Sequence, residues 1–106
     1  MGSDAITGTT RTIGLVGLPV DHSMSPAMHN TAFRRLGLDY VYVPFPVDPV
    51  DLPDALNGLR ALNVRGFNVT MPHKSACIPF LDGLDALAES LGAVNTVVNN
   101  ASSKIG

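Results

Sequence analysis

Between residues 13 and 98 short apolar runs alternate with helix-period segments, and each change of period is marked by a proline, a glycine or a capping residue. That alternation admits few folds. Ile13 to Leu18 is an apolar run closed by Pro19 and a polar turn through Asp21 and His22, which predicts a buried strand. Ser25 offers an N-cap oxygen, Pro26 fits the first helical position and Gly37 supplies a left-handed stop, so a helix is expected over Pro26 to Leu36. Within it Met28 or His29, Ala32, Phe33 and Leu36 approximate one face. Tyr40 to Val47 is aromatic and β-branched, and Pro44 and Pro46 favour an edge position for this second strand. Asp48 and Pro49 repeat the cap-plus-proline start for a second helix through Asn63, with Leu52, Ala55, Leu56, Leu59 and Leu62 on its apolar side.

Arg65 to Met71 reads as a third strand, and Pro72 to Phe80 as a short helix that Pro79 ends or bends. Leu84 to Leu91 is a further helix closed by Gly92, and Ala93 to Val98 is a fourth strand. The tail from Asn99 to Gly106 has turn chemistry leading into Lys104 and Ile105. Strands alternating with helices imply right-handed crossovers. The expected class is α/β: an open, mostly parallel sheet built from βαβ units, with helices on both faces. Residues 1-12, small and polar, are expected to form a disordered leader, and residues 13-106 one domain.

Composition excludes several functions. With 45% hydrophobic and 15% charged residues the chain is globular, and so little charge hints at apolar surface reserved for an interface, a homodimer included. Seven Lys plus Arg against nine Asp plus Glu give a net charge of -2 without a basic run, so nucleic acid is not an expected partner. No apolar stretch approaches the ~18 residues of a membrane span, and residues 1-12 lack the regions of a signal peptide. The single Cys77, between Ala76 and Ile78, reads as a buried structural thiol in a reducing cytoplasm. His22, His29 and His73 lack the spacing of a metal site. Gly14-x-x-Gly17-x-Pro19 departs from the spacing of a dinucleotide loop, and no cofactor-binding residue is expected here.

Open α/β sheets bind ligands outside the carboxyl ends of their strands, and three polar clusters fall there. The first is His22-Ser23-Met24-Ser25-Pro26, whose two hydroxyls beside a helix N-terminus suit a carboxylate. Ser25 is equally well explained as a simple cap, which leaves Ser23 as the better ligand contact. The second is Asn68 to Lys74: strand alternation puts the side chains of Asn68 and Thr70 on one face, where they suit a polyol. Lys74 would sit in the first turn of the following helix, against its dipole, a placement that suits proton transfer, although a solvated lysine is the commoner outcome. The third is Gly92 to Thr96, where Asn95 interrupts an apolar strand and is expected to bond to neighbouring backbone. Asp82 and Asp85 read as surface or capping residues.

Together, Ser23-Met24-Ser25-Pro26, Asn68 to Lys74 and Gly92 to Thr96 resemble, in order and separation, three motifs of the shikimate dehydrogenase family. The likeness runs from about Ile13 to Gly106. It implies the family's substrate-binding domain and the NADP-dependent reduction of 3-dehydroshikimate to shikimate, on the route to aromatic amino acids. It further implies that Ser23 and Ser25 hold the substrate carboxylate, that Asn68, Thr70 and Asn95 bind ring hydroxyls, and that Lys74 is catalytic. The family's aspartate partner of that lysine, its NADP-binding domain and its C-terminal helices are expected beyond Gly106, so this stretch alone is expected to be inactive. Quinate or quinate/shikimate dehydrogenase is an alternative within the superfamily, and a stand-alone, non-catalytic module binding a cyclic hydroxy acid is one outside it.

Overall fold

A computed structural model describes residues 6–99 and 104–105. Apolar β-branched runs become strands β1 (Arg11–Gly17), β2 (Tyr40–Pro46), β3 (Gly66–Val69) and β4 (Thr96–Asn99), with β5 (Lys104–Ile105) after them. The helix-period segments become α1 (Ser25–Leu36), α2 (Leu52–Ala61) and α3 (Ala86–Leu91), α2 being led by a 3-10 turn at Pro49–Asp51. All five strands form one sheet in the order β2-β1-β3-β4-β5. β2 is the edge strand anticipated from its prolines, which pair in register with Leu15 and Gly17 of β1.

The sheet is mixed, where mostly parallel pairing was expected. β1 runs parallel to β2 and to β3, whereas β4 is antiparallel to β3 and to β5. A parallel return needs a crossover that carries the chain back to the start of the sheet. Between β3 and β4 the six residues of α3 rise only about 9 Å. Val94 N–H donates to the Lys74 carbonyl at 2.8 Å, so β4 sets off from the end at which β3 finished.

The register sorts the side chains onto two faces. Ile13, Leu15, Tyr42, Asn68 and Thr96 share one; Gly14, Val16, Phe67, Val69 and Val97 share the other. The second face holds the main core, in which Val16, Phe67, Val69 and Val97 pack with Leu52, Leu56 and Leu59 of α2 and with Cys77, Ala88 and Val94. Burying each leucine contributes about 1.5–3 kcal/mol. Among the described residues the first face is covered by α1 and the loop before it, over a small cluster of Leu15, Val20, Tyr42, Ile13 and Phe33. Its half around Asn68 and Thr96 lies beside that helix and outside that cluster.

Three local expectations change. β1 begins at Arg11, inside the stretch expected to be a leader, because Arg11 N–H donates to the Asp39 carbonyl at 2.9 Å and starts the ladder with β2; residues 1–5 lie outside the described residues, as do 100–103 and 106 of the tail. The helix expected over Pro72 to Phe80 does not form. Pro79 has no N–H for the Ser75 carbonyl, so that carbonyl takes the Ile78 N–H, the Lys74 carbonyl turns to Val94, and only a 3-10 turn at Ile78–Phe80 remains. The fourth strand starts at Thr96 rather than Ala93.

Candidate functional site

The three polar clusters meet at the carboxyl ends of β1 and β3. Backbone hydrogen bonds lace them together: Leu18 N–H to the Met71 carbonyl at 3.1 Å, Thr70 N–H to Val16 at 2.9 Å, and Val69 N–H to Asn95 at 2.7 Å. The Ser75 hydroxyl adds a bond to the Gly92 carbonyl at 2.8 Å.

At the first cluster it is Ser23, not Ser25, whose hydroxyl meets the start of α1. α1 starts at Ser25 and receives no side-chain cap from the residue before it; instead the Ser23 hydroxyl accepts the Ser25 N–H at 3.1 Å. Ser25 is thereby released from capping. Both serines are half-buried.

Tyr42 was not singled out in the sequence, yet it organises the site. Asn30 of α1 clamps its backbone from both sides, donating to the Tyr42 carbonyl at 2.9 Å and accepting its N–H at 2.8 Å. His29 stacks on its ring, with centroids 4.4 Å apart and planes 8° from parallel. The Tyr42 hydroxyl donates to Asn68 Oδ1 at 2.8 Å, and Asn68 Nδ2 donates to Thr96 Oγ1 at 3.0 Å. Burial pushes the phenol above its ordinary range, and the neighbouring Ser25 hydroxyl works against that rise. Alternation along an edge strand is the signal that could have pointed to Tyr42; no motif marks it. Thr96, the last residue of the third cluster, joins the site through the same chain of hydrogen bonds.

Thr70 lies one residue beyond β3 and keeps the face of Asn68, its methyl group packed over Gly17. Lys74 is half-buried in a turn. No helix begins there, so the dipole argument made for it falls away. Asn95 is exposed, not buried, and needs no internal partner; it joins the cluster through its carbonyl and lines, with Thr96, Ala93 and Asp85, a hollow of about 190 Å³ against α3. Asp85 caps α3 as expected, accepting the Ala88 N–H at 2.8 Å, and Asp82 pairs with Arg60 at 3.0 Å.

The glycines of β1 serve close packing: a side chain at Gly14 would run into the Phe45 ring and one at Gly17 into Thr70. No group of three or more metal-ligating side chains occurs among the described residues, and no helix is long and apolar enough to cross a membrane.

Residues 15–97 match the family model described as the shikimate dehydrogenase substrate binding domain. The chain belongs to that family. Relatives named shikimate dehydrogenase (NADP(+)) include one from Desulforamulus reducens, 52% identical over 100% of this chain and 36% of that protein, and one from Methanobrevibacter smithii, 55% identical over 87% of this chain and 33% of that protein. The fold is likewise similar to the crystal structure of shikimate 5-dehydrogenase from Listeria monocytogenes in complex with shikimate and NAD. The TM-score is 0.94 and the identity 51%, covering 98% of this chain and 36% of that one. The chain thus spans about a third of the length of the dehydrogenases it matches. The family's open α/β fold agrees with the one described above.

Proposed function

We propose that this chain is the substrate-binding domain of an NADP-dependent shikimate dehydrogenase, an oxidoreductase interconverting 3-dehydroshikimate and shikimate in the cytoplasm. The observation that carries the reading is the convergence of hydroxyl and amide groups with the turn of Lys74 at one sheet end, in a chain of this family. The acid's carboxylate is assigned to the half-buried hydroxyls of Ser23 and Ser25, beside the N-terminus of the twelve-residue α1. Asn68, Thr70 and Asn95 are assigned to ring hydroxyls. Asn68 meets them with its second amide hydrogen, since its oxygen is engaged by Tyr42.

Lys74 is assigned to the oxygen of the reacting carbonyl, where its ammonium stabilises or protonates the alkoxide as hydride arrives. NADP, named for the curated relatives, supplies the hydride. No residue of this chain is given a part in holding it, which fits a cofactor domain outside this stretch. The exposed apolar residues of α1, Met28 and Leu36, leave room for a homodimer contact or for the rest of the protein.

The test is shikimate-dependent NADP+ reduction by the full-length protein containing this chain. Turnover should fall at least about a hundredfold in Lys74→Ala, the scale on which a positioned proton donor acts. A wild-type protein without activity on shikimate, or a Lys74→Ala variant that keeps it, overturns the assignment, and quinate in a parallel assay measures the breadth of the site.

A further inference from the structure

His73 is fully buried, and no other polar or charged residue among those described is. Its Nε2 lies 2.6 Å from the Val47 carbonyl oxygen. A carbonyl only accepts, so Nε2 carries a proton, and the other ring nitrogen is Nδ1. That Nδ1 is sealed from solvent without a hydrogen-bond partner. A leucine or phenylalanine would fill the same space without burying an unpartnered ring nitrogen but would leave the buried Val47 carbonyl without this bond, so it is the bond to Val47, not packing, that accounts for an imidazole here.

The single bond it makes joins two elements of the site. Val47 is itself anchored to the carboxyl end of β1, its N–H donating to the Gly17 carbonyl at 2.9 Å. On the other side, His73 N–H donates to the Thr70 carbonyl at 3.0 Å and the His73 carbonyl accepts from Cys77 at 3.0 Å. The backbone N–H and carbonyl and the ring Nε2 of His73 are therefore all engaged one residue before Lys74, whose own carbonyl is held by Val94 at 2.8 Å.

We propose that His73 is a positioning residue for Lys74, its Nε2–H bond to Val47 fixing the lysine's turn against the ends of β1 and β2. The inference rests on the reading that Lys74 serves the reacting carbonyl. If so, loss of the bond should act on the chemical step more than on substrate binding, because Lys74 meets the substrate's reacting oxygen while the serines and Asn68 hold the rest.

Three variants of the full-length protein test it. In His73→Phe kcat for shikimate oxidation should fall about tenfold or more, as small displacements of a reacting group do, while KM changes less than about threefold. His73→Gln should restore most of kcat, since its amide nitrogen stands as many bonds from Cα as Nε2 does. His73→Asn is one bond short and should not. A wild-type kcat in His73→Phe, or equal rates in the Gln and Asn variants, overturns the proposal. Should His73→Phe not fold, nitrogen-15 spectra of the wild-type histidine ring decide: a proton on Nε2 agrees, and a proton on Nδ1 overturns it. Absence of wild-type turnover would instead overturn the functional reading, and the role of His73 with it.

Discussion

Tyr42 reaches across a whole strand to orient Asn68. The two lie on β2 and β3 with β1 between them, Tyr42 in register with Ile13 and Asn68 with Leu15, and the phenol closes the diagonal with a 2.8 Å bond to Asn68 Oδ1. An amide has two ends of opposite character. With the oxygen claimed by a phenol, the nitrogen faces Thr96 Oγ1 and its second hydrogen is the group left to meet a hydroxyl.

Tyr42→Phe removes that constraint while keeping the ring and its stacking on His29. The stranded amide oxygen should cost about 1–2 kcal/mol of stability. Freedom of the amide to turn over should weaken shikimate binding about fivefold, equivalent to ~1 kcal/mol. Thermal denaturation and calorimetric titration read the two effects separately, and a variant with wild-type affinity would remove Tyr42 from the site.

Gly17 occupies the point of closest approach between the first strand and the Thr70 loop. A methyl group there meets the Thr70 side chain, with the Met71 carbonyl oxygen 3.2 Å away. Neither neighbour is the loose end of a long side chain, so Gly17→Ala should destabilise by about 1–3 kcal/mol through overpacking. It should also weaken shikimate binding, because Thr70, proposed above to meet a ring hydroxyl, is the group displaced. Gly58→Ala, with open space around its Cβ, is the control expected to melt at or above the wild-type temperature.

Which of these features the sequence announces follows from how local their causes are. The period of Leu52, Leu56 and Leu59, the prolines of β2 and the glycine stop of α1 act within a few residues, and those elements appear close to where they were expected. The direction of β4 and the loss of the helix after Pro72 depend on where Val94 finds a carbonyl, twenty residues away in sequence. Within the site, Ser23, Ser25, Asn68 and Thr70 declare themselves as polar residues at strand ends. Tyr42 sits between two valines and His73 between Pro72 and Lys74, with no spacing to betray either; only burial with a hydrogen bond marks them.

Asp39 gives the fold an acid-sensitive clasp. Its carboxylate accepts the hydroxyls of Thr9 and Thr10, the latter at 2.7 Å, and these bonds hold its pKa below the ordinary value, Thr9 chiefly, with the charge of Arg11 assisting. A carboxyl depressed in the folded state contributes stability that is fully present above its unfolded value of about 3.9. It is lost as pH falls through the lower folded value. In urea melts from about pH 6 to about pH 2, the wild type should therefore exceed Asp39→Asn at the upper end, with the gap closing below about pH 4. A gap independent of pH would show that the clasp does not depend on charge.

Cys77 reports on the turn that carries Lys74. The thiol is fully buried, burial pushes its pKa up, and its hydrogen points at the Lys74 carbonyl 3.8 Å away. Alkylation needs an accessible thiolate, so at about pH 8 the native protein should label far more slowly than the urea-unfolded chain. What labelling does occur requires the packing around residues 73–77 to open, and its rate then measures how firmly that segment is held. His73→Phe, which loses the bond to Val47 one residue before Lys74, should raise the rate by about tenfold, matching ~1.4 kcal/mol of lost local stability. Equal rates in the variant and the wild type would mean that Val94 and Ser75 hold the turn without the histidine.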